Sequence, residues 1–324
     1  MLVERILSCP ACGGGLRASR FARSVDCPFC GNQVHLDPSV VSAARYREAL
    51  ATWKAPPEGT DLLAGDGWEI GPRIALGESS DLHPARRARA PTEQVLVKLL
   101  REPEHAGLLA REAATLAGLD RVDGRGAAIV GARTPRLVTH GVIEAGPHRG
   151  RRALVLRATP GFRVTLGARV RAGAIPAVAS VWVWRRTLEA LAALHRAGLG
   201  HGAILPPHLL LEDGEHGVQL LGFSAAGPLG SRLPFRNRAW GPVYGGATVL
   251  TPALDVAMSA RTIAWAVGGD PATAEAPVPE AYAEVLRDAA AGRHPDAWTL
   301  REWLASVART AFGPPSFHPL VPLT

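Results

Sequence analysis

A chain of 324 residues, 47% of them apolar, has the length for about two domains and the composition for a sizeable core. Its longest apolar stretch, around Ala174 to Trp184, is too short to span a bilayer. The N-terminus lacks a charged start followed by an apolar run, so a soluble cytoplasmic protein without membrane contact is predicted. The formal charge is +7, but only Lys54 and Lys98 are lysines among 36 basic residues, a skew that reads as the composition of a GC-rich genome. The basic clusters (Arg86-Arg87 with Arg89, Arg149 with Arg151-Arg152, Arg185-Arg186) are short, so a nucleic-acid partner is not expected.

All four cysteines lie in the first segment, residues 1–38, which leaves none for disulfides elsewhere and fits a reducing compartment. Cys9-Pro-Ala-Cys12-Gly and Cys27-Pro-Phe-Cys30-Gly stand 14 residues apart. Each C-x-x-C sets two thiolates on one tight turn, and two such turns supply a tetrahedron of soft ligands that suits zinc. The segment resembles the zinc-ribbon family, with Cys9, Cys12, Cys27 and Cys30 holding a structural zinc whose coordination sphere is closed. His35, just past the last cysteine, is read as a surface strand residue.

Residues 39–65 are predicted to link this segment to the next: helical spacing from Ser39 to Trp53, then a run rich in Pro, Gly and Asp. A strand-rich region follows over residues 66–157. Ile70 to Ala88 contains Gly77-Glu78-Ser79-Ser80-Asp81-Leu82-His83-Pro84, in which Gly77 is the only glycine. Gln94 to Leu100 reads as a strand that holds Lys98 in Val95-Leu96-Val97-Lys98, with Leu96 and Lys98 on one face. Pro103 to Leu119 reads as an amphipathic helix carrying Glu112 and Leu116. Two strands, Leu137 to Glu144 and Ala153 to Leu156, flank an exposed Gly-Pro-His-Arg-Gly turn.

Residues 158–310 are predicted to be mainly helical, with a long helix over Ala177 to Arg196 whose Val181, Trp184, Leu188, Leu191 and His195 recur at helical spacing. After Gly198 come His201-Gly202-Ala203-Ile204-Leu205-Pro206-Pro207-His208, two short apolar strands around Glu212-Asp213-Gly214-Glu215, and Gly222-Phe223-Ser224. Thr251-Pro252-Ala253-Leu254-Asp255 predicts a capped helix start. Pro279 to Ala291 and Asp296 to Thr310 read as closing helices, and residues 311–324 as a Pro-rich tail.

In order, these segments resemble the protein-kinase family: the glycine-rich loop at Gly77, V-A-I-K at Lys98, the paired glutamate at Glu112, H-R-D-x-x-x-x-N at His201 to His208, and D-F-G at Gly222-Phe223-Ser224. Gly241-Pro242-Val243 aligns with A-P-E, and Leu220 to Arg238 with the activation segment, which reads as a mobile solvated loop before it reads as a docking surface. The resemblance implies an α+β, bilobal kinase-like fold, with a sheet-based small lobe and a helical large lobe behind the zinc ribbon. It implies a Lys98–Glu112 pair at the nucleotide site, an internal column of Leu116, His201 and Phe223, and hydrogen bonds from Asp255 to the backbone of the catalytic loop.

The resemblance also shows what has gone. The proton-accepting Asp and the two magnesium ligands correspond to Ala203, His208 and Gly222, and Leu205 replaces the phosphate-neutralising lysine. Ala203 and Gly222 offer no oxygen, and imidazole is a poor ligand for magnesium. No catalytic residue is therefore assigned, ATP is not an expected cofactor, and the implied function is a bacterial signalling or scaffolding pseudokinase acting through unidentified protein partners. The alternatives are an atypical protein kinase or nucleotide-dependent transferase using Lys98, Glu112 and a displaced carboxylate such as Asp81 or Asp213, and a ribbon-led nucleic-acid binder. Lys98 and Glu112 also have a purely structural reading, as an ion pair holding helix to sheet.

Overall fold

The structure, a computed structural model, describes residues 4–8, 15–19, 24–26, 28, 33–35, 59–120, 122, 124–159, 162, 164–212, 216–318 and 320. The four cysteines, the predicted helix over Ser39 to Trp53 and Asp213 lie outside the described residues. In the N-terminal segment, β1 (Glu4–Ser8) pairs antiparallel with β2 (Gly15–Ser19), and β3 (Ser24–Asp26) with β4 (Gln33–His35). His35 thus falls on a strand, as expected.

The chain divides into two compact units, His35–Ala117 with Pro135–Pro160, and Met1–Val34 with Gly118–Thr134 and Gly161–Thr324. The fold is mixed α+β. The first unit is built on a curled antiparallel sheet of β5 (Thr60–Leu63), β6 (Asp66–Ile70), β7 (Ala75–Leu76), β8 (Ser80–Arg87), β9 (Ala90–Leu100), β10 (Leu137–Val142) and β11 (Arg152–Arg157). Strand order is β10-β11-β9-β8-β6-β5, with β7 paired to β8. The curl brings the two ends together: Leu62 N–H donates to Ala145 O, and Glu144 N–H to Leu62 O, both at 2.8 Å. Alternation along β9 buries Val95, Val97 and Leu99 beside Trp68, Ile143 and Val155, and turns Leu96 and Lys98 the other way.

One boundary differs from the sequence reading. The sheet begins at Thr60, inside the predicted linker of residues 39–65. Ala64 and Gly65 both have positive φ, 52° and 78°, and close a two-residue hairpin with the handedness that twisted strands favour. Alanine seldom takes that conformation, so the turn carried no sequence signal. Asp61, buried on β5, accepts from His148 N–H and pairs with His148 Nδ1, both at 2.8 Å. The Gly-Pro-His-Arg-Gly turn read as exposed is therefore anchored through His148.

The helix α1 (Ala106–Leu119) runs where the amphipathic pattern placed it, after a 3-10 turn at Pro103–His105. A further helix, α2 (Gly124–Arg133), was not foreseen, because its glycines argue against helix. It belongs to the second unit rather than to the region 66–157. Arg133 is fully buried against Glu189, and Gln219 Nε2 donates to Thr134 O at 3.1 Å.

The second unit continues with β12 (Val164–Thr165), α3 (Leu166–Val170) and α4 (Ala177–Arg196), the helix bounded as predicted. Next come β13 (Leu199–Gly200), β14 (Leu209–Glu212), β15 (Gly217–Leu220), β16 (Gly227–Pro228), α5 (Gly241–Tyr244), α6 (Pro252–Ala266), α7 (Glu280–Ala290) and α8 (Ala297–Phe312). Most of α4 and α6 is buried, which makes them the centre of this unit. Thr251 caps α6 by accepting from Leu254 N–H at 3.0 Å, with Pro252 in the first turn. Among the described residues, no helix is long and apolar enough to cross a membrane.

The C-terminal segment is not a free tail. Trp182 Nε1 donates to His318 O at 3.1 Å, and Leu320 is buried. The segment 227–233, read as a mobile loop, is also pinned. β16 pairs with β13, and Gly230 and Leu233 N–H donate to Leu250 O and Thr248 O at 2.8 Å.

Candidate functional site

The sequence-derived residues fall into two clusters, one in each unit. In the sheet unit, Lys98 projects from β9 and Glu112 from α1, and Lys98 Nζ donates to Glu112 Oε2 at 2.5 Å. Glu112 is 1% exposed, so its carboxylate depends on this partner and on local hydrogen bonding for compensation. Leu116, one turn further along α1, is also buried.

The region aligned with a glycine-rich loop is a tight β7–β8 hairpin. Gly77 N–H donates to Ser80 O at 2.9 Å, and Leu76 pairs with Asp81. Arg101 closes it by donating to Gly77 O at 2.7 Å and to Glu78 O, carbonyls that the turn leaves over. Arg101 also reaches Asp81 at 3.0 Å, while Arg151 and Arg73 stand 3.5 and 3.6 Å from its carboxylate. Burial pushes the Asp81 carboxyl up, but Arg101, Arg73 and Arg151 outweigh it and hold it below the ordinary carboxylate range. Asp81, one of the displaced carboxylates considered for catalysis, is thus engaged by guanidinium groups. Which arginines it meets is not legible in the sequence.

In the helical unit, the loop from His201 to His208 is clamped from α6. Asp255 is fully buried, and its carboxylate accepts from His201 N–H and Gly202 N–H, both at 2.8 Å. His195 Nε2 lies 2.9 Å from the same group, a contact the sequence reading missed although it placed both residues on helices. Burial acts to raise the Asp255 carboxyl, but His195, His201 and the two N–H groups prevail and keep it ionised well into acid. The His201 ring accepts from Ala203 N–H at Nδ1 and stands 3.1 Å from Leu221 O at Nε2, an arrangement that fixes the Nε2–H tautomer. It packs on Phe223 with centroids 4.6 Å apart.

The three positions matched to the base and metal ligands close on one another. Ala203 is 1% exposed, and its carbonyl is met by His208 Nδ1 at 2.8 Å. Gly222 has φ +76°, and a Cβ placed there would lie 2.6 Å from His208 Nε2. The imidazole therefore fills the space that any side chain at 222 would need. Gly202 is similarly held, at φ +67°, with a Cβ position 2.5 Å from Leu250. Leu205 is buried. Ala203, His208 and Gly222 thus pack on one another, and none of the three side chains offers a carboxylate.

No protein-family model matches this chain, and no curated protein matches it. Among the described residues, no group of three or more His, Cys, Asp or Glu side chains is arranged to hold a metal ion. Where sequence and geometry meet is therefore residue by residue: Lys98 with Glu112, and Asp255 with the 201–202 backbone. Asp213 and the cysteine set lie outside the described residues.

Proposed function

We propose that the chain is a kinase-like, bilobal protein behind a zinc ribbon, and that it works as a non-catalytic signalling or scaffolding protein through protein–protein contacts. The observation that carries this reading is the packing of His208 against Gly222 and Ala203. The ion pair at Lys98 and the Asp255 clamp are kept while the positions that would present oxygen to magnesium are filled with hydrocarbon and imidazole. Decay without selection for the fold would not separate architectural from chemical positions in this way. Cys9, Cys12, Cys27 and Cys30 would hold the zinc, which in so short a segment supplies folding free energy.

The test is thermal unfolding of the full chain with and without ATP and magnesium, alongside transfer of labelled phosphate to protein acceptors. A nucleotide at ~100 times its dissociation constant adds ~2.7 kcal/mol of stability. No shift at millimolar ATP, together with no transfer, is the expected outcome. A second reading, an atypical kinase or other nucleotide-dependent transferase, is favoured by the Lys98–Glu112 pair. Magnesium-dependent transfer that disappears in Lys98→Ala would select it.

A further inference from the structure

One cavity in the helical unit plays no part in that reading. It measures about 310 Å³ and lies between α4, α8 and the C-terminal segment. Trp182, Val181 and Phe312 form its apolar walls, Arg185, Arg186 and Arg309 also line it, and among the described residues no Asp or Glu does. It is open to solvent on the Arg309 side, and its volume is at the lower end of small-molecule sites.

One wall carries the His216 ring. The His216 ring lies between Trp182 and Phe317, nearly parallel to both, at centroid distances of 4.5 and 4.2 Å. His216 is 9% exposed, and its Nε2 is buried with no hydrogen-bond partner among the described residues. The C-terminal segment closes the same wall through the Trp182–His318 hydrogen bond.

We propose that this cavity binds a small organic anion with an aromatic or branched aliphatic body. The body lies against Trp182 and Phe312, and the anionic head meets Arg309 and Arg185, whose planar forks match carboxylate, sulfonate or phosphate oxygens. Because residues 313–318 form part of the wall, occupancy fastens the C-terminal segment to α4.

The probe is 8-anilino-1-naphthalenesulfonate, titrated into the full-length protein and read by its fluorescence. One saturable site is expected. Ala308→Trp, which fills the cavity, should abolish it, and Arg309→Gln should weaken it at least tenfold. The uncharged analogue N-phenyl-1-naphthylamine should bind at least tenfold more weakly than the sulfonate. Arg309 is exposed, so its variant keeps the fold and decides the question even where Ala308→Trp does not fold. Non-saturable binding, an affinity unmoved by Arg309→Gln, or equal binding of the neutral analogue overturns the proposal.

Discussion

His208 and Gly222 exclude each other's chemistry: the imidazole Nε2 stands 2.6 Å from where a Cβ at 222 would be, so a side chain at 222 and the present His208 rotamer cannot coexist. Restoring a carboxylate with Gly222→Asp is expected to destabilise the protein by about 2 kcal/mol, from left-handed backbone strain and the overlap with the ring. Chemical unfolding measures this. The Gly222→Asp, His208→Ala double variant should be less destabilised than the sum of its parts by at least about 0.5 kcal/mol, the coupling expected of residues in contact. Strict additivity would show that the two side chains do not compete for one space.

Removing Asp255 should be among the most damaging single changes. Asp255→Ala leaves two buried N–H groups without acceptors, each at about 1–3 kcal/mol. Because its folded-state pKa is depressed, its contribution is complete above the unfolded carboxylate value and is lost as pH falls through the folded one. Wild type should therefore lose stability at low pH more steeply than Asp255→Asn when both are followed by urea unfolding from neutral pH to pH 2.

The Lys98–Glu112 pair separates structure from ligand binding. Lys98→Met strands a carboxylate that is 1% exposed and should cost about 3 kcal/mol, while Lys98→Met with Glu112→Leu should recover most of it. Recovery of stability by the double variant, read from denaturant midpoints, identifies the pair as a strut between β9 and α1. Continued destabilisation would mean that the charges have partners beyond each other.

His216 gives a pH signature of opposite chemistry. Burial first, then Arg186, pushes its imidazole from 6.5 down to about 4, so the native state favours the neutral ring. Between those values the unfolded chain binds the proton more readily, and stability falls as pH drops from 6.5 to 4, by at most about 3 kcal/mol. His216→Phe keeps a flat ring between Trp182 and Phe317 and should flatten the pH profile in that window without changing it above pH 7.

Glu189 gathers Arg133, Arg186 and Arg301 at 2.8 to 3.2 Å and ties α2, α4 and α8 together. Glu189→Gln is expected to cost about 3–5 kcal/mol, because cations at 0 to 11% exposure lose their counter-charge. A midpoint shift no larger than that of an exposed Glu→Gln control would refute this account of the junction.

What the sequence by itself determined was local: the bounds of α4, the Thr251-Pro252 start of α6, and the alternation that turns Lys98 away from the core, whereas the pairing of Lys98 with Glu112 was an implication of the kinase resemblance. Each local signal rests on a period of 3.6 or 2 or on a capping pair, and such signals are complete within a few residues. Tertiary structure alone decided that Ala64-Gly65 turns a hairpin, that glycine-bearing α2 is a helix, that Asp81 meets Arg73, Arg101 and Arg151, and that His208 seals Gly222. With 36 basic residues spread along the chain, composition does not say which guanidinium finds which carboxylate. That choice belongs to strands and helices distant in sequence, whose packing fixes distances that no short stretch encodes.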